Sequence, residues 1–299
     1  MSRKKCISRP QNRNSALFVL VDRSMRVALA LISAMSLAAG QPDAHEIVRR
    51  SVAASDENWK MARNYTFLQR TEERQIDSDG RVKSKEVKTY DVTLLEGSPY
   101  FRLLERDDHP LPAAEEKKEQ AKLDKNIADR LKETPEQRRR RIEDYDKRRE
   151  RQRQAMREVG EAFDFKNVGQ DVLDGRAVWI VEASPLAGYQ PRSRDAKILP
   201  HVRGKLWIDQ RSYHWVKLEA EVIHPVSWGL FLVRLDPGAR IRFDETRVND
   251  EVWLPRHVSV AASARLGVFK KLRVQEDTTY WNFRKFQTDS RLVVAEHAK

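Results

Sequence analysis

From Val168 to Trp281 the chain repeats one pattern: short runs rich in Val, Ile, Trp and Tyr, each closed by a turn signal, with no helix-period segment between them. Val168–Val172 and Ala177–Val181 flank Asp174-Gly175, a dipeptide suited to a two-residue hairpin because both positions tolerate positive φ. Gly204–Asp209 turns through Gln210-Arg211-Ser212 into Tyr213–Ile223. Trp228–Val233, Arg240–Val248, Val252–Ala262 and Leu272–Trp281 follow, with Asn249-Asp250 as another tight turn. Parallel strands need a crossover of a dozen or more residues. Apart from a loop rich in Pro, Gly and Arg, Ser184–Pro200, these connections are too short for one, and with no helix between the strands the spacing predicts an antiparallel meander.

The first part of the chain adds strands and the only helices. Asp43 and Glu46 form a capping-box pattern, after which Val48, Val52, Ser55, Trp59 and Ala62 recur at helical spacing. Tyr65–Ile76, Val82–Leu95 and Tyr100–Glu105 read as strands, separated by Asp77-Ser78-Asp79-Gly80 and Gly97-Ser98-Pro99. From Pro112 to Val159 charge of both signs is dense, and no aromatic or β-branched run occurs. Leu123, Ile127 and Leu131 make a narrow stripe. Thr134-Pro135-Glu136-Gln137 then restarts a helix carried by Ile142, Tyr145, Met156 and Val159. A helical hairpin inserted between strands is expected. The fold class is α+β: a curved antiparallel sheet of eight to eleven strands wrapped over the N-terminal helix and the hairpin, its concavity lined by Trp, Leu, Val and Phe.

Residues Met25–Gly40 decide the expected location. Arg26 leads into an unbroken apolar run, Val27–Ala39, that ends in small residues. This is the layout of a secretory signal peptide, and the run is about half of the roughly 20 residues a membrane-spanning helix needs. Cleavage near Gly40 is expected to give an exported periplasmic protein, with residues 1–40 as signal and N-terminal extension and 41–299 as one domain carrying the charged insertion 112–159. Residues 1–40 hold seven Lys/Arg and one acidic residue, so the formal charge of +12 falls to 12 − 6 = +6 without them. Cys6, the only cysteine, leaves too. The remainder has no disulfide, thiolate nucleophile or Cys-ligated metal and depends on a hydrophobic core.

No G-x-S-x-G elbow, H-E-x-x-H, P-loop or G-x-G-x-x-G occurs. His45-Glu46 lacks a second His at metalloprotease spacing and reads as a surface pair on a first helical turn. His214 and His224 are about 33 Å apart on an extended strand, too far to share a metal, and read as surface or edge histidines. Asp209 ends a strand, where an Asp is favoured by its own backbone hydrogen bonding. The expectation is therefore no enzyme, no cofactor and no metal. The basic run Arg138–Arg141, with Lys147, Arg148, Arg149, Arg151 and Arg153, is interleaved with Glu136, Glu143, Asp144, Asp146 and Glu150 and has no aromatic stacking platform. It reads chiefly as a solvated helix face; an anionic membrane surface is the alternative partner, and nucleic acid is not expected. Seven tryptophans are divided between core packing and the lining of an apolar cavity.

An ordered series now carries a resemblance: Tyr65-Thr66-Phe67 after a helix, Gly175-Arg176-Ala177-Val178-Trp179-Ile180-Val181, Gly204-Lys205-Leu206-Trp207-Ile208-Asp209, Val216-Lys217-Leu218-Glu219 and Val252-Trp253-Leu254-Pro255. It resembles the LolA/LolB-like periplasmic lipoprotein-carrier superfamily and related outer-membrane lipoprotein-sorting proteins. The resemblance implies an incomplete antiparallel β-barrel closed by a helical lid over a hydrophobic cavity, with the hairpin as lid or lid-adjacent helices. The expected function is non-catalytic binding of a hydrophobic ligand, a lipid or a lipidated protein. Candidate cavity residues are Phe67, Trp179, Leu206, Ile208 and Trp253. The alternative is an envelope interaction or sensor module whose charged hairpin binds a protein partner or an anionic membrane surface.

Overall fold

The computed structural model describes residues 42–228, 233–266 and 270–286. The expected export segment lies outside them, as does the middle of the strand expected over Trp228–Val233. Helix α1 (Ala44–Ala62) begins where the Asp43 carboxylate accepts the N–H groups of His45 and Glu46, satisfying two donors the helix cannot. Strands β1 (Tyr65–Ile76), β2 (Val82–Leu95), β3 (Ser98–Arg106) and β4 (His109–Pro110) follow. The inserted hairpin is α2 (Ala113–Leu131) and α3 (Pro135–Ala162). Thr134 and Gln137 cap α3 reciprocally, the N–H of Gln137 donating to the Thr134 hydroxyl and the N–H of Thr134 to the Gln137 side chain.

Nine strands complete the sheet: β5 (Phe163–Leu173), β6 (Arg176–Pro185), β7 (Val202–Asp209), β8 (Trp215–Val222), β9 (Val226–Trp228), β10 (Val233–Leu235), β11 (Arg240–Val248), β12 (Val252–Leu266) and β13 (Lys270–Lys285). They pair antiparallel in the order β4-β3-β2-β1-β13-β12-β11-β8-β7-β6-β5, with β10 joined to β12 and β9 beside it. The described residues thus hold thirteen strands, where eight to eleven were expected. The surplus includes β4, β9 and β10, two or three residues each and too short to show an alternation. The sheet is open. Its edges are β4 and β5, and the chain leaves one and enters the other through α2 and α3. The helical hairpin occupies the connection where a closed barrel would have a strand pairing.

The core lies between the sheet and α1. Ala44, Ile47, Val48 and Ser51 recur at i, i+3, i+4 and i+7, making one buried stripe. They pack on Phe163, Phe165, Trp179, Val181, Leu206, Ile208 and Trp215. The Trp215 indole N–H donates to the Ser51 hydroxyl at 2.7 Å, which donates to the Val48 carbonyl at 2.8 Å, so neither buried polar group is left unpaired. Asn58 ties α1 to β12 by bonding both backbone groups of Trp253. On the opposite face Val178, Trp207, Val216 and Trp253 form a smaller cluster.

Glu158, 2% exposed on α3, holds the loop after β6. It accepts from the Tyr189 hydroxyl and from the Arg192 N–H. Burial pushes its carboxyl up, but these hydrogen bonds outweigh that and leave it below the usual carboxylate value near 4.5. A carboxylate so depressed stabilises the fold above its unfolded pKa, and that contribution is lost as pH falls through the folded value. In urea titrations between pH 7 and pH 3, the stability gap between the native protein and Glu158→Gln should therefore shrink below about pH 4.5. A gap constant with pH would remove Glu158 from the acid-sensitive set.

Candidate functional site

A groove of about 610 Å³ lies between the hairpin and the β1, β2, β3, β12 and β13 part of the sheet. Its floor is mostly apolar, with Phe67, Val92, Leu94, Phe101, Leu254 and Tyr280 beside the polar Thr66, Gln69, Thr93 and Ser98. Strand pairing sets this floor, because residues directly opposite one another share a face. Phe67 lies opposite Val92, Val92 opposite Phe101, and Gln69 opposite Tyr280. A register shift between Thr66 and Leu68 leaves Phe67 without a β13 partner. Its ring packs edge-on to Tyr280 at 5.4 Å and Phe283 at 6.3 Å. Phe101 remains 53% exposed, a large apolar side chain facing water.

The roof comes from the hairpin. Arg141, Tyr145, Arg148 and Arg149 stand at i, i+4, i+7 and i+8 on α3, one helical face, and Arg130 adds the last turn of α2. Arg130 donates to the carbonyls of Leu95 and Ser98. Arg141 donates to the Ser98 hydroxyl at 2.7 Å, the Glu96 carbonyl at 3.0 Å and both oxygens of Glu133 at 2.6 Å. These bonds grip the β2–β3 turn, where Glu96 (φ 45°) and Gly97 (φ 85°) are both left-handed. Gly97 is needed twice over: for that backbone, and because a Cβ there would stand 3.0 Å from the Ile142 Cδ1 atom. Farther along α3, Arg149 lies 3.5 Å over the Trp59 ring and donates to the Tyr145 hydroxyl, while Arg153 and Arg157 bond Asp56.

Every charged residue lining the groove is an arginine: Arg63, Arg130, Arg141, Arg148 and Arg149. Among the described residues only Arg141 of these has an ion-pair partner, Glu133. Burial lowers the proton affinity of Arg149, and neighbouring Arg63 acts in the same direction. Burial and Arg141 do the same to Arg130.

The candidate cavity residues do not converge. Phe67 lines the groove. Trp179, Leu206 and Ile208 pack under α1, in the filled core. Trp253 points to the other face, because Val252 and Leu254 alternate inward. There it stacks on His214 at 5.2 Å, with Arg176 at 5.3 Å from its ring. His214 is 4% exposed and hydrogen-bonded to Glu245, so the expectation of a surface histidine fails. The carboxylate of Glu245, supplied by β11 across the sheet, lets the imidazole be buried. Asp209 behaves as expected, accepting from the N–H groups of Arg211 and Ser212 at its own turn. The basic run divides. Arg138, Arg139 and Arg140 pair with Glu96, Glu143 and Glu136, whereas Arg141, Arg148 and Arg149 turn to the groove. The signal for them was the 141-145-148/149 spacing, hidden by the interleaved acids. Among the described residues no group of three His, Cys, Asp or Glu side chains could hold a metal, and no helix is long and apolar enough to cross a membrane.

No family model matches the chain, and no curated protein matches it in sequence. Solved structures similar to it include an outer membrane lipoprotein-sorting protein domain from Vibrio parahaemolyticus, 10% identical, with 82% of this chain and 95% of that one covered and a TM-score of 0.34. A LolA superfamily protein from Nitrosomonas europaea is 9% identical over 78% and 93% of the chains, with a TM-score of 0.28. A chain of the Pseudomonas aeruginosa MucA/MucB complex is 10% identical over 79% and 99%, with a TM-score of 0.22.

Gly97→Ala places a side chain against Ile142 in a left-handed backbone that costs about 1–2 kcal/mol for an L-residue. It should lower the thermal midpoint and speed tryptic cleavage at Arg138–Arg141. A variant matching the native protein in both would mean that α3 does not rest on this turn.

Proposed function

We propose that this protein binds the acyl part of a lipid or lipidated polypeptide in the groove between hairpin and sheet, without catalysis, in the periplasm. The observation that carries this reading is a groove whose floor has six apolar side chains from five strands, with Phe101 53% exposed, beside the core packed under α1. The groove's 610 Å³ falls within the roughly 300–1,000 Å³ of small-molecule sites. Each methylene buried contributes about 0.8 kcal/mol, so ten give roughly 8 kcal/mol, from which the cost of ordering the ligand is subtracted. The signal-peptide layout read in the sequence at Met25–Gly40 supports the location.

A second reading is favoured by one observation: α2 buries no residue at all. A helix so exposed and charged also suits an interaction arm for an envelope protein or an anionic membrane surface. Deleting Pro112–Val159 separates the two, since an interaction arm can be lost with chain binding intact, whereas a roof cannot.

Uptake of the fluorescent hydrophobe N-phenyl-1-naphthylamine should saturate at one site, be displaced by dodecanol, and weaken about tenfold or more in Phe67→Glu, which puts a charge on the floor. Unchanged uptake by a folded Phe67→Glu protein would place any chain elsewhere.

A further inference from the structure

We infer that the occupant of the groove is an anionic amphiphile whose charged headgroup sits on Arg63, Arg148 and Arg149 while its chain lies along the Phe67–Leu94 floor. The inference rests on the chain-binding reading above and adds the chemistry of the other end of the ligand.

The arginines of the hairpin fall into two groups. Of those facing away from the groove, Arg138 pairs with Glu96, Arg139 with Glu143, Arg140 with Glu136, and Arg153 and Arg157 with Asp56, while exposed Arg151 has no carboxylate partner among the described residues. Of those facing the groove, only Arg141 is paired with a carboxylate. Arg141 is committed to Glu133, and Arg130 to two backbone carbonyls. Arg63, Arg148 and Arg149 have no carboxylate partner among the described residues, and no acidic side chain lines the groove with them. Glu143, Asp146 and Glu150 instead line a separate recess with Trp59 and Arg63.

Withdrawing a cation from water without a counter-charge is costly. For Arg149 burial outweighs the Tyr145 hydroxyl and the charge of Asp146, the Trp59 ring lies against it, and the nearby Arg63 adds like-charge repulsion. An anion between them removes both penalties. A guanidinium presents its donors in a planar fork matched to carboxylate or phosphate oxygens. Beside the guanidiniums the lining carries no second charge: Thr66, Gln69, Thr93 and Ser98 are among its neutral polar side chains, and Phe67, Leu94 and Phe101 suit methylenes. Charge at one end and hydrocarbon at the other describe a lipid with an acidic headgroup. A neutral lipid would leave the guanidiniums unmatched, and a free anion would leave the floor bare.

Three probes separate these cases by isothermal titration at low salt: dodecyl phosphate, dodecanol and inorganic phosphate. Dodecyl phosphate should bind about tenfold or more tightly than dodecanol, as expected for charge-assisted hydrogen bonds. Inorganic phosphate should bind far more weakly than either. In the double variant Arg63→Gln with Arg148→Gln, both side chains being exposed, dodecyl phosphate should fall to the dodecanol value. The Arg→Lys pair should retain part of the difference. Equal binding of dodecyl phosphate and dodecanol would overturn the headgroup site but leave chain binding standing. Binding of neither would end the chain-binding reading itself. Phosphate binding as tight as dodecyl phosphate would overturn the amphiphile in favour of a free-anion site. A double variant that keeps the full preference would remove Arg63 and Arg148 from the site.

Discussion

The whole arrangement depends on how the open seam of the sheet is bridged. Strands β4 and β5 end the sheet without pairing to each other, and the chain between them is the α2–α3 hairpin. Unpaired edges invite association, and covering them is one of the ways proteins manage them. Here the hairpin is seated by guanidinium-to-carbonyl bonds on the β2–β3 turn rather than by an apolar stripe. Helix α2 buries nothing, and α3 buries only Glu158 and Ala162.

That difference in seating explains where the groove is. Helix α1 brings Ile47 and Val48 onto the sheet, where they pack in one buried cluster with Trp179, Leu206 and Ile208. The hairpin brings arginines, which hold it in place through their long stems and heads without filling the volume over Phe67 and Leu94. An apolar helix on a curved sheet makes a core; an arginine-faced helix on the same sheet leaves a lined space. The same substitution of charge for hydrocarbon gives that space two unlike ends.

Much of the fold was legible because period-2 runs and turn dipeptides report directly on an antiparallel meander, and Thr134-Pro135 marked the restart of the hairpin. The short strands β4, β9 and β10 were not legible, since two or three residues carry no period. The site was read less well for a different reason. Trp179, Leu206 and Ile208 have the same alternation whether they line a void or pack on a helix, and only the position of α1 decides. Trp253 sits in a Val-Trp-Leu series whose inward face cannot be assigned without the neighbouring strands. His214 was misread because its partner Glu245 is 31 residues away. The groove-facing arginines were masked by acids that pair with their outward neighbours.

The central claim is that a hydrocarbon chain lies between the hairpin and the β1–β2 floor. Its most direct test is photo-crosslinking with an alkyl chain bearing a diazirine, followed by peptide mapping. Labelling should fall on the segments containing Phe67, Val92–Leu94 and Tyr145. Labelling confined to the segments around Trp179, Leu206–Ile208 or Trp253 would contradict the account, because the chain would then enter the core that α1 fills or the opposite face of the sheet.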